Sequence, residues 1–327
     1  MHTLTELIEN DMKPALGVTE PGAIAFAVST ARGYTKGNIE EVVVALNSGM
    51  YKNAFTCGIP ISDEVGNVFS AALGAVAGKA EKGLESLEDV TEDDNQKAGE
   101  LVSQGKVKVV LDHIGSEITI DATVKTDEDA CVVKIAGTHT DIYYIEKNGE
   151  IIYEKARKKE EETGKAIIHG YTLKDILQYI DEVDEKEITF IRDAFSMNME
   201  LLEEGLQSPK TSFSPLLKKQ NGGKLISENE WRTAQLLCNG AIEARVLGLN
   251  KPAMSITGSG AHGIIATLPL FAYHQIHREE LAEEKLLRAT ALSYLITMYI
   301  KEYSGRLSAF CGCGIAAGTG MACGLCY

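Results

Sequence analysis

The sequence predicts an α+β protein, with helices and an antiparallel β-meander in the N-terminal half and an all-helical C-terminal half. Two observations predict this. Five short β-branched runs follow one another between residues 106 and 155. From about residue 165, apolar residues recur at helical spacing almost to the end. A length of 327 residues accommodates two domains, placed at 1–160 and 161–327, and 44% hydrophobic residues supply an ordinary core.

The elements follow in order. Thr3 and Glu6 have the spacing of a capping box and open a short helix that stops before Pro14. A second helix starts near Thr19 and Glu20, carries Pro21 in its first turn and ends near Gly33. Residues 41–46 are β-branched and short, hence a strand. Residues 67–79, rich in Ala and Gly, read as a tightly packed helix, and acidic helical stretches fill 84–103. The strands of the meander are 106–111, 117–124, 131–136, 141–146 and 150–154, and Asn148-Gly149 is a two-residue hairpin turn. The charge run at 156–165 reads as a solvated connector. Helices follow at 173–183, 188–202, 228–247, 264–274 and 280–303, with a Ser/Pro/Lys/Gly-rich loop at 207–224.

Composition narrows the function. A net charge of −15 argues against nucleic acid, whose binding depends on neutralising phosphates with Lys and Arg. The start, Met-His-Thr-Leu-Thr-Glu, has neither a basic region nor an apolar one, so no export signal is expected. Seven cysteines without such a signal suit reduced thiols in a cytoplasm. No membrane partner is expected: the charge-free end is rich in glycine and lacks a basic flank. The expected partners are a small molecule and further copies of the chain.

Four of the seven cysteines, Cys311, Cys313, Cys323 and Cys326, lie in the last 17 residues among glycines. Thiolates suit zinc, copper(I) and iron–sulfur clusters. The alternative is close helix packing, with Gly314/Gly318 and Gly320/Gly324 spaced for it and cysteine buried as a small hydrophobe. On composition alone packing is the simpler reading.

Four further segments carry candidate chemistry. Thr19 and Glu20 stand where a helix begins, a place suited to a carboxylate ligand or to plain capping. Lys52 and Asn53 follow a strand and the turn Asn47-Ser-Gly49, and read as carboxylate binders, as proton-transfer groups or as a surface pair. His139, between Thr138 and Thr140 on a strand-end loop, suits acid/base work near neutral pH or a structural hydrogen bond. Thr257-Gly258-Ser259-Gly260-Ala261-His262-Gly263 precedes an apolar helix and can cradle a small anion. It lacks the Gly-Lys-Ser/Thr of a nucleotide loop.

Taken together and in this order, these segments resemble the serine dehydratase α-chain-like family, in the branch of the L-cysteine desulfidases. The matching stretches are 14–21, Lys52-Asn53, 67–78, 137–140, 258–263 with 266–269, and 306–311. The resemblance implies a β-eliminating lyase that yields pyruvate, ammonia and sulfide or water from L-cysteine or L-serine. It also implies a 4Fe–4S cluster held by three cysteines, with Lys52 and His139 as catalytic groups and Thr19, Glu20, Asn53, Thr140, Ser259 and His262 as substrate binders. Three departures stand against it. The first cluster cysteine of the family is here Val18. The second matches Cys311, and the third belongs to a helical segment beyond residue 327. In addition, Ala261 stands where the family usually has Asn. Cys57, Cys313, Cys323 and Cys326 are the possible substitute ligands. The alternative expectation is a cluster-less, truncated or degenerate family member that binds an amino acid or a partner.

Overall fold

The computed structural model describes residues 2–59, 62–157, 166–304 and 310–327. The division expected at residue 160, most of the charge run, and residues 306–309 of the family-like segment lie outside the described residues.

The chain opens with α1 (Thr3–Asp11) and β1 (Lys13–Leu16). The helix is capped by His2 rather than Thr3: the His2 imidazole Nδ1 accepts the Leu4 N–H at 3.1 Å, and Thr3 lies inside the first turn. Two units form. Met1–Gly17 cluster with Thr163–Arg306 and Phe310–Tyr327, and Val18–Glu162 make the other unit. The first 17 residues therefore fold with the helical part instead of the 1–160 segment, because β1 pairs antiparallel with the late strand Pro252–Ser255.

The sheet-bearing unit contains α2 (Thr19–Gly33), β2 (Ile39–Asn47), α3 (Ser48–Ala54), α4 (Gly66–Val76) and α5 (Glu92–Ser103). Strands β3 (Val107–His113), β4 (Thr119–Thr126), β5 (Ala130–Ala136), β6 (Ile142–Lys147) and β7 (Glu150–Glu154) follow. The strand order is β3-β2-β4-β5-β6-β7. One face is buried by alternation: Val42, Val44 and Leu46 on β2, Ile120, Ala122 and Val124 on β4, and Cys131, Val133 and Ile135 on β5. Their cover is α2, with Ala23, Ile24, Ala27 and Val28 fully buried in the same cluster. A Cβ on Gly74 would come within 2.7 Å of the Ala25 carbonyl oxygen, so α4 can approach α2 this closely only with glycine there. Asn148 (φ 52°) and Gly149 (φ 83°) make the expected turn between β6 and β7.

The meander is antiparallel only from β4 to β7. β2 inserts between β3 and β4, pairing parallel with β3 and antiparallel with β4. In this position both edges of β2 have backbone partners, and Val42, Val44 and Leu46 are buried on its inner face.

The helical unit contains α6 (Leu173–Glu182), α7 (Glu185–Ile188), α8 (Arg192–Gln207), α9 (Phe213–Gln220), α10 (Glu230–Val246), β8 (Pro252–Ser255), α11 (Gly260–Ile276) and α12 (Glu283–Ser304). A π-helical turn at Cys313–Ala317 leads into α13 (Gly318–Cys326). The half is helical as expected, with the short β8 between helices, and one correction arises: the expected loop at 207–224 contains α9, with Pro215 tolerated in its first turn. Helices α11 and α12 are buried over most of their surface. They pack beside α13, where a Cβ on Gly324 would meet the Ala289 carbonyl oxygen at 2.7 Å and one on Gly320 would overlap the Ser293 carbonyl oxygen. The packing reading of Gly320 and Gly324 thus holds, whereas Gly314 has open space.

Candidate functional site

In the sheet-bearing unit, Val18 is the N-cap of α2 and makes no side-chain capping bond. Thr19 and Glu20 are therefore the first two residues of the helix, not its caps. Glu20 is only 6% exposed, and its Oε1 accepts the Asn53 Nδ2–H at 2.7 Å. The Thr19 hydroxyl donates to Glu20 Oε2 at 3.5 Å, a long contact. Lys52 and Asn53 sit on α3, a helix where the sequence suggested a loop. The Cys57 thiol, also buried, donates to the Asn53 carbonyl at 2.6 Å. Thr19, Glu20, Asn53 and Cys57 thus gather at the start of α2 and the end of α3.

The residue just before α3 is one that the sequence marked only as part of a turn. Asn47, fully buried, donates from Nδ2 to the Gly115 carbonyl at 3.1 Å and accepts the Thr119 N–H at 3.2 Å. It ties the end of β2 to the β3–β4 connection. His139 and Thr140 lie in the β5–β6 turn, which Gly137 enters at φ 78°. His139 is half-buried and Thr140 exposed.

Asn53→Ala removes a donor from the buried Glu20 carboxylate and is expected to cost about 1–3 kcal/mol of stability. Thermal melting checks this. Asn53→Gln, which keeps the amide, should recover part of the loss.

In the helical unit, the Gly-rich turn does feed a helix. Ser259 is the N-cap of α11, its oxygen accepting the His262 N–H at 3.5 Å. His262 is 5% exposed, and its Nδ1 lies 2.6 Å from the Thr257 hydroxyl oxygen. The Thr257 N–H donates to Asp11 Oδ2 at 2.5 Å. Burial pushes the Asp11 carboxyl above its ordinary pKa, against the Thr257 hydrogen bond, and nearby Glu302 pushes the same way. The backbone of Gly312 lies against the His262 ring: a Cβ there would fall 2.6 Å from Nε2. Ser259, His262 and the Cys311–Cys313 segment are thereby brought together.

The cysteines divide by environment. Cys131 and Cys238 are buried, and burial pushes their thiols up to about 11 and about 12. Neutral thiols of this kind serve as core residues. Cys311 and Cys326 are exposed, and Cys313 and Cys323 half-buried. Among the described residues, no three His, Cys, Asp or Glu side chains converge to hold a metal ion.

With this geometry in view, the comparisons are specific. The sequence profile of the serine dehydratase alpha chain matches residues 81–327. The chain belongs to the serine dehydratase alpha chain family. A UPF0597 protein of Clostridium botulinum strain Langeland is 37% identical over 99% of this chain and 76% of its own length. A UPF0597 protein of Caldanaerobacter subterraneus subsp. tengcongensis is 39% identical over 99% of this chain and 75% of its own. One from Clostridium tetani is 37% identical, with the same coverage of each chain as the Caldanaerobacter protein. No solved structure matches. The family match includes His139, Thr140, Ser259, His262 and Cys311 of this serine dehydratase alpha chain relative, whereas the α2 and α3 residues are covered only by the longer alignments. Among the described residues, no helix is long and apolar enough to cross a membrane.

Proposed function

We propose that this chain is a cytoplasmic β-eliminating lyase acting on L-cysteine or L-serine. The observation that carries the proposal is the serine dehydratase alpha chain match over 81–327. In the proposed reaction a base takes the Cα proton. The Cα–H electron pair forms the double bond as the β-substituent departs with its own bonding pair, as hydrosulfide or as hydroxide that takes a proton from the acid form of the base and leaves as water. The aminoacrylate left behind hydrolyses to pyruvate and ammonia. Lys52 and His139 are the proposed proton-transfer groups. Thr19, Glu20, Asn53, Thr140, Ser259 and His262 are the proposed substrate binders.

The cluster implied by the resemblance does not fit the residues present. Val18 supplies no ligand at the first cluster position, Cys311 supplies one at the second, and the described residues hold no group of three ligands. No step is therefore routed through iron. The same observation favours a second reading, a cluster-free family member that binds the amino acid without turning it over.

Anaerobic purification with iron, sulfide and pyruvate assays separates the two. Pyruvate formed from L-cysteine or L-serine supports the lyase. Calorimetric binding of either amino acid, with neither iron nor pyruvate, supports the second reading. If iron binds, occupancy below one cluster per chain and a labile chromophore are expected, and Cys311→Ser should abolish it. A stoichiometric cluster indifferent to Cys311→Ser would overturn that ligand assignment.

A further inference from the structure

Three features of the Thr257 turn have no role in simple capping. Thr257 adopts φ +54°, one of two non-glycine residues with positive φ among the described residues. A β-branched side chain is poorly tolerated there, whereas Gly or Asn would be at ease. Its hydroxyl oxygen lies 2.7 Å from the Ile256 carbonyl oxygen and 2.6 Å from His262 Nδ1. Its backbone N–H is held by the Asp11 carboxylate at the end of α1.

A carbonyl oxygen only accepts, and a hydroxyl has a single proton to donate. The Thr257 proton therefore goes to Ile256. Toward His262 the Thr257 oxygen is left with a lone pair, so Nδ1 must carry the proton. In a neutral ring the other nitrogen, Nε2, then holds the lone pair. That nitrogen faces the backbone of Gly312, between Cys311 and Cys313.

We propose that Thr257 is a positioning residue which fixes His262 as the Nδ1–H tautomer and so presents the Nε2 lone pair to the Cys311–Cys313 segment. Backbone strain at a β-branched residue persists where the surroundings over-determine it, and such positions cluster at functional sites. Here the surroundings are the Asp11 carboxylate on one side and the paired Ile256 and Ser259 backbone groups on the other, with N–H to O distances of 3.3 and 3.1 Å. The strain places a hydroxyl where glycine would offer none. The tautomer stands on hydrogen-bond geometry, while its consequence for turnover rests on the lyase reading.

The test is a long-range ¹H–¹⁵N correlation spectrum of the full chain labelled at its seven histidines, with His262 assigned by its loss in His262→Gln. The expected pattern at neutral pH has one protonated nitrogen, Nδ1, and one lone-pair nitrogen, Nε2. Thr257→Ser should keep the pattern, and Thr257→Val should lose it, giving a mixture of tautomers. The wild-type spectrum alone can overturn the proposal, through an Nε2–H tautomer or a doubly protonated ring, so it remains falsifiable if Thr257→Val fails to fold. A Thr257→Val spectrum identical to wild type also overturns it. In turnover, Thr257→Val should raise KM for the amino acid roughly tenfold with a smaller change in kcat, and Thr257→Ser should restore it, as expected when a substrate-binding imidazole is misoriented. The expected tautomer in a protein that makes no pyruvate would support the positioning role while defeating the lyase reading.

Discussion

Glu243→Ala is expected to unfold the region around α9, at a cost of about 3 kcal/mol. The Glu243 side chain comes from α10, yet it caps α9. Oε1 accepts the Ser212 N–H at 2.7 Å and the Phe213 N–H at 2.8 Å, and Oε2 accepts the Ser214 N–H at 2.7 Å and the Ser214 hydroxyl at 2.6 Å. Ser212, the formal N-cap, makes no side-chain capping bond of its own. Removing the carboxylate leaves three backbone donors at a helix start without the acceptors they have now. Because the chain forms two units, hydrogen exchange over residues 210–222 is the direct readout, with melting temperature as the second. Unchanged protection of these amides would show that α9 stands without its cap.

The same group sets a pH dependence. Burial pushes the Glu243 carboxyl up, but the Ser214 hydroxyl and the Phe213, Ser212 and Ser214 N–H groups outweigh it and hold the pKa below the ordinary 4.5. A carboxyl whose pKa is depressed on folding stabilises the fold fully above its unfolded value and loses that contribution as pH falls through its folded value. Protection of α9 in the wild type should therefore fall on acidification below about pH 4.5. In Glu243→Gln that acid-sensitive component should vanish, along with the part of the stability supplied by the second oxygen.

Gly263→Ala is the second large effect, expected to cost about 3 kcal/mol or more. Its Cβ would overlap the Met254 carbonyl oxygen and lie 2.9 Å from the Met254 carbonyl carbon and 3.2 Å from Ser255 Cα. All three are backbone atoms of β8, so no side-chain rotation relieves the clash. Either α11 or β8 must shift, and with α11 go His262 and Ser259. Chemical denaturation reads the stability, and the His262 imidazole signals read the displacement. Gly314→Ala is the control: nothing lies within 4 Å of its Cβ, and the change should be neutral or slightly stabilising. Equal effects of the two substitutions would show that close approach at Gly263 is not what holds α11 against β8.

Much of this molecule was legible in short stretches of sequence. The β6–β7 hairpin followed from Asn148-Gly149, because that pair adopts left-handed backbone at little cost. The strand positions followed from β-branched runs; the helix expected from residue 264 was also there, but α11 starts at Gly260, so four residues of the expected Gly-rich turn are helical. These are local preferences, set within a few residues. The candidate site was legible less evenly. Glu20 and Asn53 were singled out and are hydrogen-bonded to each other, yet the helix under Lys52 and Asn53 was hidden by the turn-like Asn47-Ser-Gly49. The roles of Asn47, Thr257 and Gly312 were not legible, because each depends on a partner far away in the chain.

The sequence by itself determined the elements with strong local codes, the departure at Val18 and the family-like segments. Tertiary structure decided the rest. It placed β2 between β3 and β4, where both edges of the strand have backbone partners. It joined the first 17 residues to the helical unit through a pairing with residues 252–255. It made a helix at 213–220 by supplying a carboxylate from α10, and it oriented His262 through Thr257. In each case the deciding partner lies outside any local window: burial and hydrogen-bond satisfaction are counted over the assembled fold, whereas propensity is counted along the chain.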